Sequence, residues 1–262
     1  MPKALFKFHI ILILFTTALS ILSALTITEF EQEVILYTNR ARADYGLQPL
    51  KYDKGLADIA RRHSYNMYSQ NFYAHEDLQG LQCWDRQEKY YPELMNLGIG
   101  ENIAKQVISD KVFSAKDLVD GWMNSPGHRA NILDLDYTHI GVGVVIKDRT
   151  LLATQNFATG MVRPLLALPL VSAAGFLTIP FEYMSSKPRE GFAAWIIYPD
   201  PKVKFFNKDN SYYTGVQPQT LVWKDDTHFS VTVPFNAGKG DYRLSFGWAG
   251  THYPDFFRIT AK

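Results

Sequence analysis

Cysteine is nearly absent from this chain: Cys83 is the only one in 262 residues. A single thiol forms no internal disulfide, so an exported form of the protein must be held together by its core. Cys83 precedes Trp84, which suits a small buried hydrophobe; pairing with a second chain is the alternative. An excess of one charge is missing too. The formal net charge is +1 and no Lys/Arg run occurs, so there is no electrostatic footprint for nucleic acid. Gly-x-Ser-x-Gly, His-Glu-x-x-His and P-loop patterns are missing, which removes the motif support for those enzyme classes. No fixed-period repeat and no low-complexity tract is found. Disorder is excluded by composition, at 47% apolar and 20% charged residues.

A long clean apolar run is also lacking. Lys3 and Lys7 precede an apolar stretch from Ile10 to Leu25, broken by Thr16, Thr17, Ser20 and Ser23. This falls short of the ~20 uninterrupted apolar residues that a span prefers. It reads as a secretory signal over residues 1–24. Ala18-Leu19-Ser20 fits a small-x-small cleavage site, and a cut after Ala24 fits less well. No cysteine directly follows the apolar segment, which excludes a bacterial lipoprotein anchor. The expected location is secreted, extracellular or in the cell envelope, with membrane contact only if the segment stays uncleaved.

Helical spacing comes next. Phe30, Val34, Tyr37, Thr38 and Ala41 predict an amphipathic helix ending near Tyr45-Gly46, with Glu29, Glu31 and Glu33 near its start. Leu56, Ile59, Ala60, His63 and Met67 predict a second helix, with His63 a packed, hydrogen-bonded core residue. Residues 71–96 read as a long structured loop with one helical turn after Trp84. Ser114 to Asp117 opens a helix through Leu118, Val119 and Trp122, which Pro126-Gly127 stops. Residues 140–146 and 151–157 predict a hairpin. Residues 26–160 are thus expected to be one α+β domain.

Residues 161–172, with Pro164 and Pro169, read as a linker or strand entry. The helical period vanishes beyond it. Short alternating segments over 173–262 predict an all-β, Ig-like sandwich. Trp195, Trp223 and Trp248 are expected to fill its core; a carbohydrate platform is the alternative.

Three chemically suggestive side chains remain. His75 follows Phe72-Tyr73-Ala74, Glu101 opens Glu101-Asn102-Ile103-Ala104 after Gly98-Ile99-Gly100, and His128 lies in Ser125-Pro126-Gly127-His128-Arg129-Ala130-Asn131. All three are expected on connections, where functional side chains concentrate. Imidazoles and a carboxylate in one cleft bind a divalent metal or move protons. His139, beside a predicted strand, is assigned a strand-edge role. Glu76 and Asp77 are assigned to a solvated loop rather than a calcium site.

In order, these frames closely resemble the CAP superfamily, that is, the cysteine-rich secretory, antigen 5 and pathogenesis-related 1 proteins, in its disulfide-free bacterial SCP-like form. The matching text runs from Leu36-Tyr37-Thr38-Asn39-Arg40 through Gln155-Asn156-Phe157 and includes Trp122 to Leu133 and Thr138 to Val144. The resemblance implies an α-β-α sandwich with a surface cleft, lined in many members by two histidines and two acids, some of which bind a divalent metal such as zinc. His75, Glu101 and His128 match three of those positions. The fourth has no clear counterpart: Asn124 or Ser125 stands about where it falls, and Asp120 lies one turn earlier. The expected cleft is therefore His75, Glu101, Asn102, Ser125 and His128, with His75 and His128 as ligands for zinc or another divalent metal. Binding of an extracellular lipid, peptide or glycan is expected ahead of catalysis. The alternatives are a metal-dependent, peptidase-like hydrolase with Glu101 as base, and anchoring to glycans through the C-terminal sandwich.

Overall fold

The computed structural model describes residues 27–108, 112–206, 210–248, 251–252 and 257–262. The expected signal segment lies outside the described residues.

Helix α1 (Ile27–Asp44) buries Phe30, Glu31, Val34, Thr38 and Arg42 along one face. It stops where Gly46 takes φ +71°, a left-handed conformation that glycine adopts without strain. Strand β1 (Lys51–Tyr52) leads into α2 (Lys54–Ser69), whose first turn is capped by Asp53 accepting the Leu56 N–H at 2.9 Å. Glu31, expected only to favour the start of α1, is instead buried. It holds Arg61 at 2.6 Å and accepts the Val144 N–H at 3.0 Å.

Helix α3 (Cys83–Tyr90) spans more than the single turn expected within the loop. Strand β2 (Met95–Val107) also begins inside that segment. Helices α4 (Ala115–Met123) and α5 (Pro126–Ile132) follow. Strands β3 (His139–Lys147) and β4 (Thr150–Pro164) form the expected hairpin, its turn made by Asp148 and Arg149 at φ 49° and 62°.

These elements make three layers. Ile140, Val142 and Val144 of β3 and Leu151, Ala153 and Phe157 of β4 face α1, α4 and α5. The opposite face receives α2 through Leu56 and Ile59 against Ala158, and through Met67 against Leu152. Glycine permits the close approach of α2 to β3. A Cβ on Gly141 would stand 2.1 Å from the Ala57 nitrogen, and one on Gly143 2.0 Å from the Arg61 nitrogen. Both contacts are to backbone, which has no side-chain freedom to yield.

The sheet does not end with this α-β-α unit. Residues 162–164 of β4 pair with β6 (Phe176–Tyr183), which pairs with β12 (His228–Pro234), and that with β11 (Leu221–Trp223). A second sheet has the order β10 (Val216–Gln219), β7 (Phe192–Ile197), β13 (Gly240–Trp248), β15 (Phe257–Ala261), β5 (Leu170–Ser172), with β14 (Thr251–His252) also on β13, and β8 (Lys204–Phe206) pairs separately with β9 (Tyr212–Thr214). Ile179, Phe181 and Phe229 of the first sheet share one core with Phe192, Leu244, Phe246 and Ile259 of the second. Met95 from β2 belongs to the same core. Trp223 and Trp248 pack against it, with ring centroids 6.4 and 4.9 Å from Phe192, whereas Trp195, also expected there, alternates along β7 with the buried Ala194 and Ile196 and lies outside this core. The C-terminal half is thus a β-rich region built onto the edge of the first sheet.

His139 sits where the two halves meet, 4% exposed, with Nδ1 2.8 Å from the Thr138 hydroxyl. Burial lowers its pKa to about 4, against the pull of Asp53. The unfolded value is ~6.5. Neutral His139 therefore stabilises the fold fully above pH ~6.5, and that contribution is lost progressively as pH falls through 4, by about 3 kcal/mol in total. Denaturant titrations at pH 7 and pH 4 are expected to differ by less in His139→Gln than in the wild type. Equal differences would show that the acid sensitivity lies elsewhere.

Candidate functional site

His75 lies on the connection between α2 and α3, as expected. Glu101 and His128 do not lie on connections. Glu101 is inside β2, opposite Asn156 of β4, and His128 is the third residue of α5. The Gly-Ile-Gly stretch is strand, because the hydrogen bonds it needs come from β4. Gly100 stays small there because a Cβ would stand 2.2 Å from the Tyr137 hydroxyl oxygen. Pro126-Gly127 does end α4, yet Pro126 also opens α5 at its first position, where a missing N–H costs nothing.

The structure brings His75 and Glu101 into contact. Nδ1 of His75 is 2.9 Å from Oε1 of Glu101. The His75 side chain is 49% exposed, whereas that of Glu101 is 2% exposed. A buried carboxylate needs a partner, and Arg86 of α3 provides one, its Nη2 donating to Oε2 at 2.6 Å. Arg86 Nη1 also donates to the carbonyls of His75 at 2.8 Å and Leu81 at 2.6 Å. One fully buried guanidinium thus fixes both the carboxylate and the loop that carries His75.

His63 is buried as expected, with Nε2 3.0 Å from the Ala74 carbonyl. Burial lowers its pKa, so it packs neutral, 3.9 Å from Glu101 Oε1. His63 Nδ1 and Arg86 Nε are buried polar atoms without hydrogen-bond partners among the described residues. Cys83 is buried, its thiol pushed up to about 12 chiefly by burial and then by the Glu101 charge. That suits the hydrophobe role assigned to it.

Asn102, fully buried, carries the site across to α5. Its Nδ2 donates to the His128 carbonyl and to Gln155 Oε1, each at 3.1 Å, and its Oδ1 accepts from Asn131 at 2.9 Å. Asn131 also donates to the Glu101 carbonyl at 3.1 Å. The two asparagines thereby tie β2 to the helix bearing His128. The pKa of His128 is lowered by burial first and by the nearby His75 second. Ser125 is the N-cap residue of α5, without a side-chain cap bond. Asp120 pairs with Lys116 at 2.6 Å on an exposed helix face, so it supplies no fourth group. Glu76 accepts from Gln82, and Asp77 accepts the Gln79 and Leu81 N–H groups. Both acids serve the loop.

Arg86 was not anticipated from the sequence. The signal for it is the pattern Cys83, Arg86, Gln87, a helical face that the fold buries. An arginine on such a face implies a buried anion.

Among the described residues, no group of three or more His, Cys, Asp and Glu side chains is placed to hold a metal ion. Both Glu101 oxygens are committed to Arg86 and His75, which withdraws Glu101 from any ligand set. The donor set that remains is a pair of imidazoles.

Residues 35–157 match the family model described as CAP, the cysteine-rich secretory protein family. These residues form a CAP domain. The domain is similar to the uncharacterized membrane protein YlbC of Bacillus subtilis (strain 168), at 36% identity over 130 residues, 50% of this chain and 34% of the relative. It is equally similar to the uncharacterized protein YkwD of the same organism, at 36% over 120 residues, 46% of this chain and 44% of the relative. The chain thus matches less than half the length of either. Among solved structures it is similar to an extracellular protein containing a SCP domain from Bacillus anthracis str. Ames, at 30% identity over 52% of this chain and 44% of that one, with a TM-score of 0.43. Within the described residues no helix is long and apolar enough to cross a membrane.

Proposed function

We propose that this is a secreted or envelope-exposed protein whose CAP domain is a binding module. Its cleft takes an extracellular ligand and a divalent transition metal, zinc in the first instance, on the imidazoles of His75 and His128. The observation that carries this reading is the contact between His75 Nδ1 and Glu101, with Glu101 held from behind by Arg86. A carboxylate accepting from Nδ1–H leaves Nε2 as the free, basic nitrogen, and a partner that orients a ligand histidine strengthens metal binding. The lowered pKa of His128 keeps its ring neutral and competent as a ligand at pH 7. Bound there, the metal would act as a Lewis acid toward a ligand oxygen. The unpartnered buried atoms on His63 and Arg86 support a functional reading, because a cluster selected for stability alone would satisfy them.

Catalysis is the weaker reading. A water-activating base needs a carboxylate oxygen facing the cleft, and both Glu101 oxygens are engaged. In the β-rich half, the two sheets that share an aromatic core support a sandwich of the Ig-like kind. The packing of Trp223 and Trp248 on that core supports filling over a glycan platform.

Zinc titration by calorimetry is expected to show one site per chain in the wild type. His75→Ala/His128→Ala should weaken it at least tenfold, and affinity should fall as pH drops below the histidine range, since protons compete for both rings. Unchanged affinity in the double variant would sink the metal reading. Metal-dependent turnover that disappears in a folded, metal-loaded Glu101→Gln variant would replace binding with hydrolysis.

A further inference from the structure

A second site lies away from the histidine cleft. A groove of about 490 Å³ runs between α3, the start of β2, and β15 of the second sheet. That volume falls in the range of small-ligand sites, ~300–1,000 Å³, which favour the junctions between structural units. One wall carries Trp84 and, one helical turn later, Glu88. Arg258 lines the groove too, beside the polar Gln87 and Asn96, and its apolar floor is offered by Pro92 and Ile99, because Leu94, Met95 and Phe257 beneath are at most 4% exposed.

The chemistry of this lining is specific. Trp84 is 56% exposed although it stands beside an apolar floor. An exposed indole keeps its π face and its N–H available. Among the described residues, neither the Trp84 N–H nor the Glu88 carboxylate has a partner. Among the described residues, Arg258 pairs with Asp241 alone, at 3.6 Å, and its side chain is 67% exposed. The groove therefore offers a flat aromatic face, a two-oxygen acceptor and a multiple N–H donor around an apolar floor.

We propose that this groove binds an oligosaccharide of N-acetylated hexosamines. A pyranose ring has an apolar C–H face for Trp84 and hydroxyls that donate to Glu88 and accept from Arg258. The acetamido methyl suits the apolar floor. An acyl chain would leave Glu88 and Arg258 desolvated without partners, which is unfavourable.

The test is calorimetric titration of the whole chain with chitotetraose, with cellotetraose and an acetylated tetrapeptide as comparators. Chitotetraose is expected to bind saturably, and cellotetraose, lacking the acetamido groups, at least tenfold more weakly. Trp84→Ala is expected to weaken binding tenfold or more, and Glu88→Gln several-fold. These side chains are exposed, so folding should persist, as circular dichroism will check. His75→Ala/His128→Ala should leave sugar binding unchanged, which separates this site from the metal reading. No saturable binding at millimolar chitotetraose, equal affinity for cellotetraose, tighter binding of the peptide, or a Trp84→Ala variant that binds like the wild type would each overturn the proposal.

Discussion

Arg86→Met is expected to lower the unfolding free energy by about 3–5 kcal/mol, the usual consequence of removing one member of a buried ion pair. The side chain is 0% exposed and its partner Glu101 2% exposed, so solvent does not replace the lost cation. Three further groups are released: the carbonyls of His75 and Leu81 lose their donor, and the Glu101 carboxylate is left with His75 alone. Denaturant unfolding of wild type, Arg86→Met, Glu101→Gln and the double variant forms the cycle that isolates the pair. The double variant is expected to be more stable than Arg86→Met alone, because no unpaired charge remains. Amide exchange across residues 75–81 should quicken in Arg86→Met beyond what the global loss explains. If Arg86→Met costs under about 1 kcal/mol, water reaches this pair and the rigid support inferred for His75 is wrong.

This support was the part of the site that the sequence concealed. His75, Glu101 and His128 stand in distinctive local frames, and those frames name them without coordinates. Arg86 stands in no such frame. It occupies a short helix whose inward face is Cys83, Arg86 and Gln87 rather than an apolar stripe, so the periodicity that exposed α1, α2 and α4 is silent there. The side chains of that face are satisfied by β2 and the His75 loop, contacts that only the fold creates. Strand β2 was hidden for a related reason. Its glycines and asparagines resemble a turn, yet Gly100 is small to admit Tyr137, and Asn102 is polar because it binds Gln155, Asn131 and the His128 carbonyl. The β3–β4 hairpin and its turn were legible because β-branched residues and a short polar turn are local properties. The change of period near residues 160–170 was legible too. Whether contacts cross it was not, since pairing of β4 with β6 joins residues about 20 apart.

A chain ending at Gly160 is expected to lose cooperative unfolding. It would cut β4 four residues short and remove Arg163, whose Nη1 donates to Asp53 Oδ2 at 2.8 Å and to the Tyr91 hydroxyl at 2.7 Å, and whose Nη2 donates to Glu182. Asp53 is 1% exposed and caps α2, the helix that carries His63. Without Arg163 it becomes a buried charge with no cation, which is costly. Met184 would go as well, exposing the core that it fills with Leu56, Ile59 and Tyr91. Met95 would lose its neighbours in the β-rich core. Arg163→Met in the full chain isolates the polar share of this loss. It is expected to cost about 2 kcal/mol, less than a fully buried pair because Arg163 is 29% exposed. Calorimetry of the full chain should show a single transition, with calorimetric and van't Hoff enthalpies in agreement. A truncated chain that still melts cooperatively, near the wild-type temperature, would show that the CAP domain folds alone and that Arg163 clamps two independently stable units.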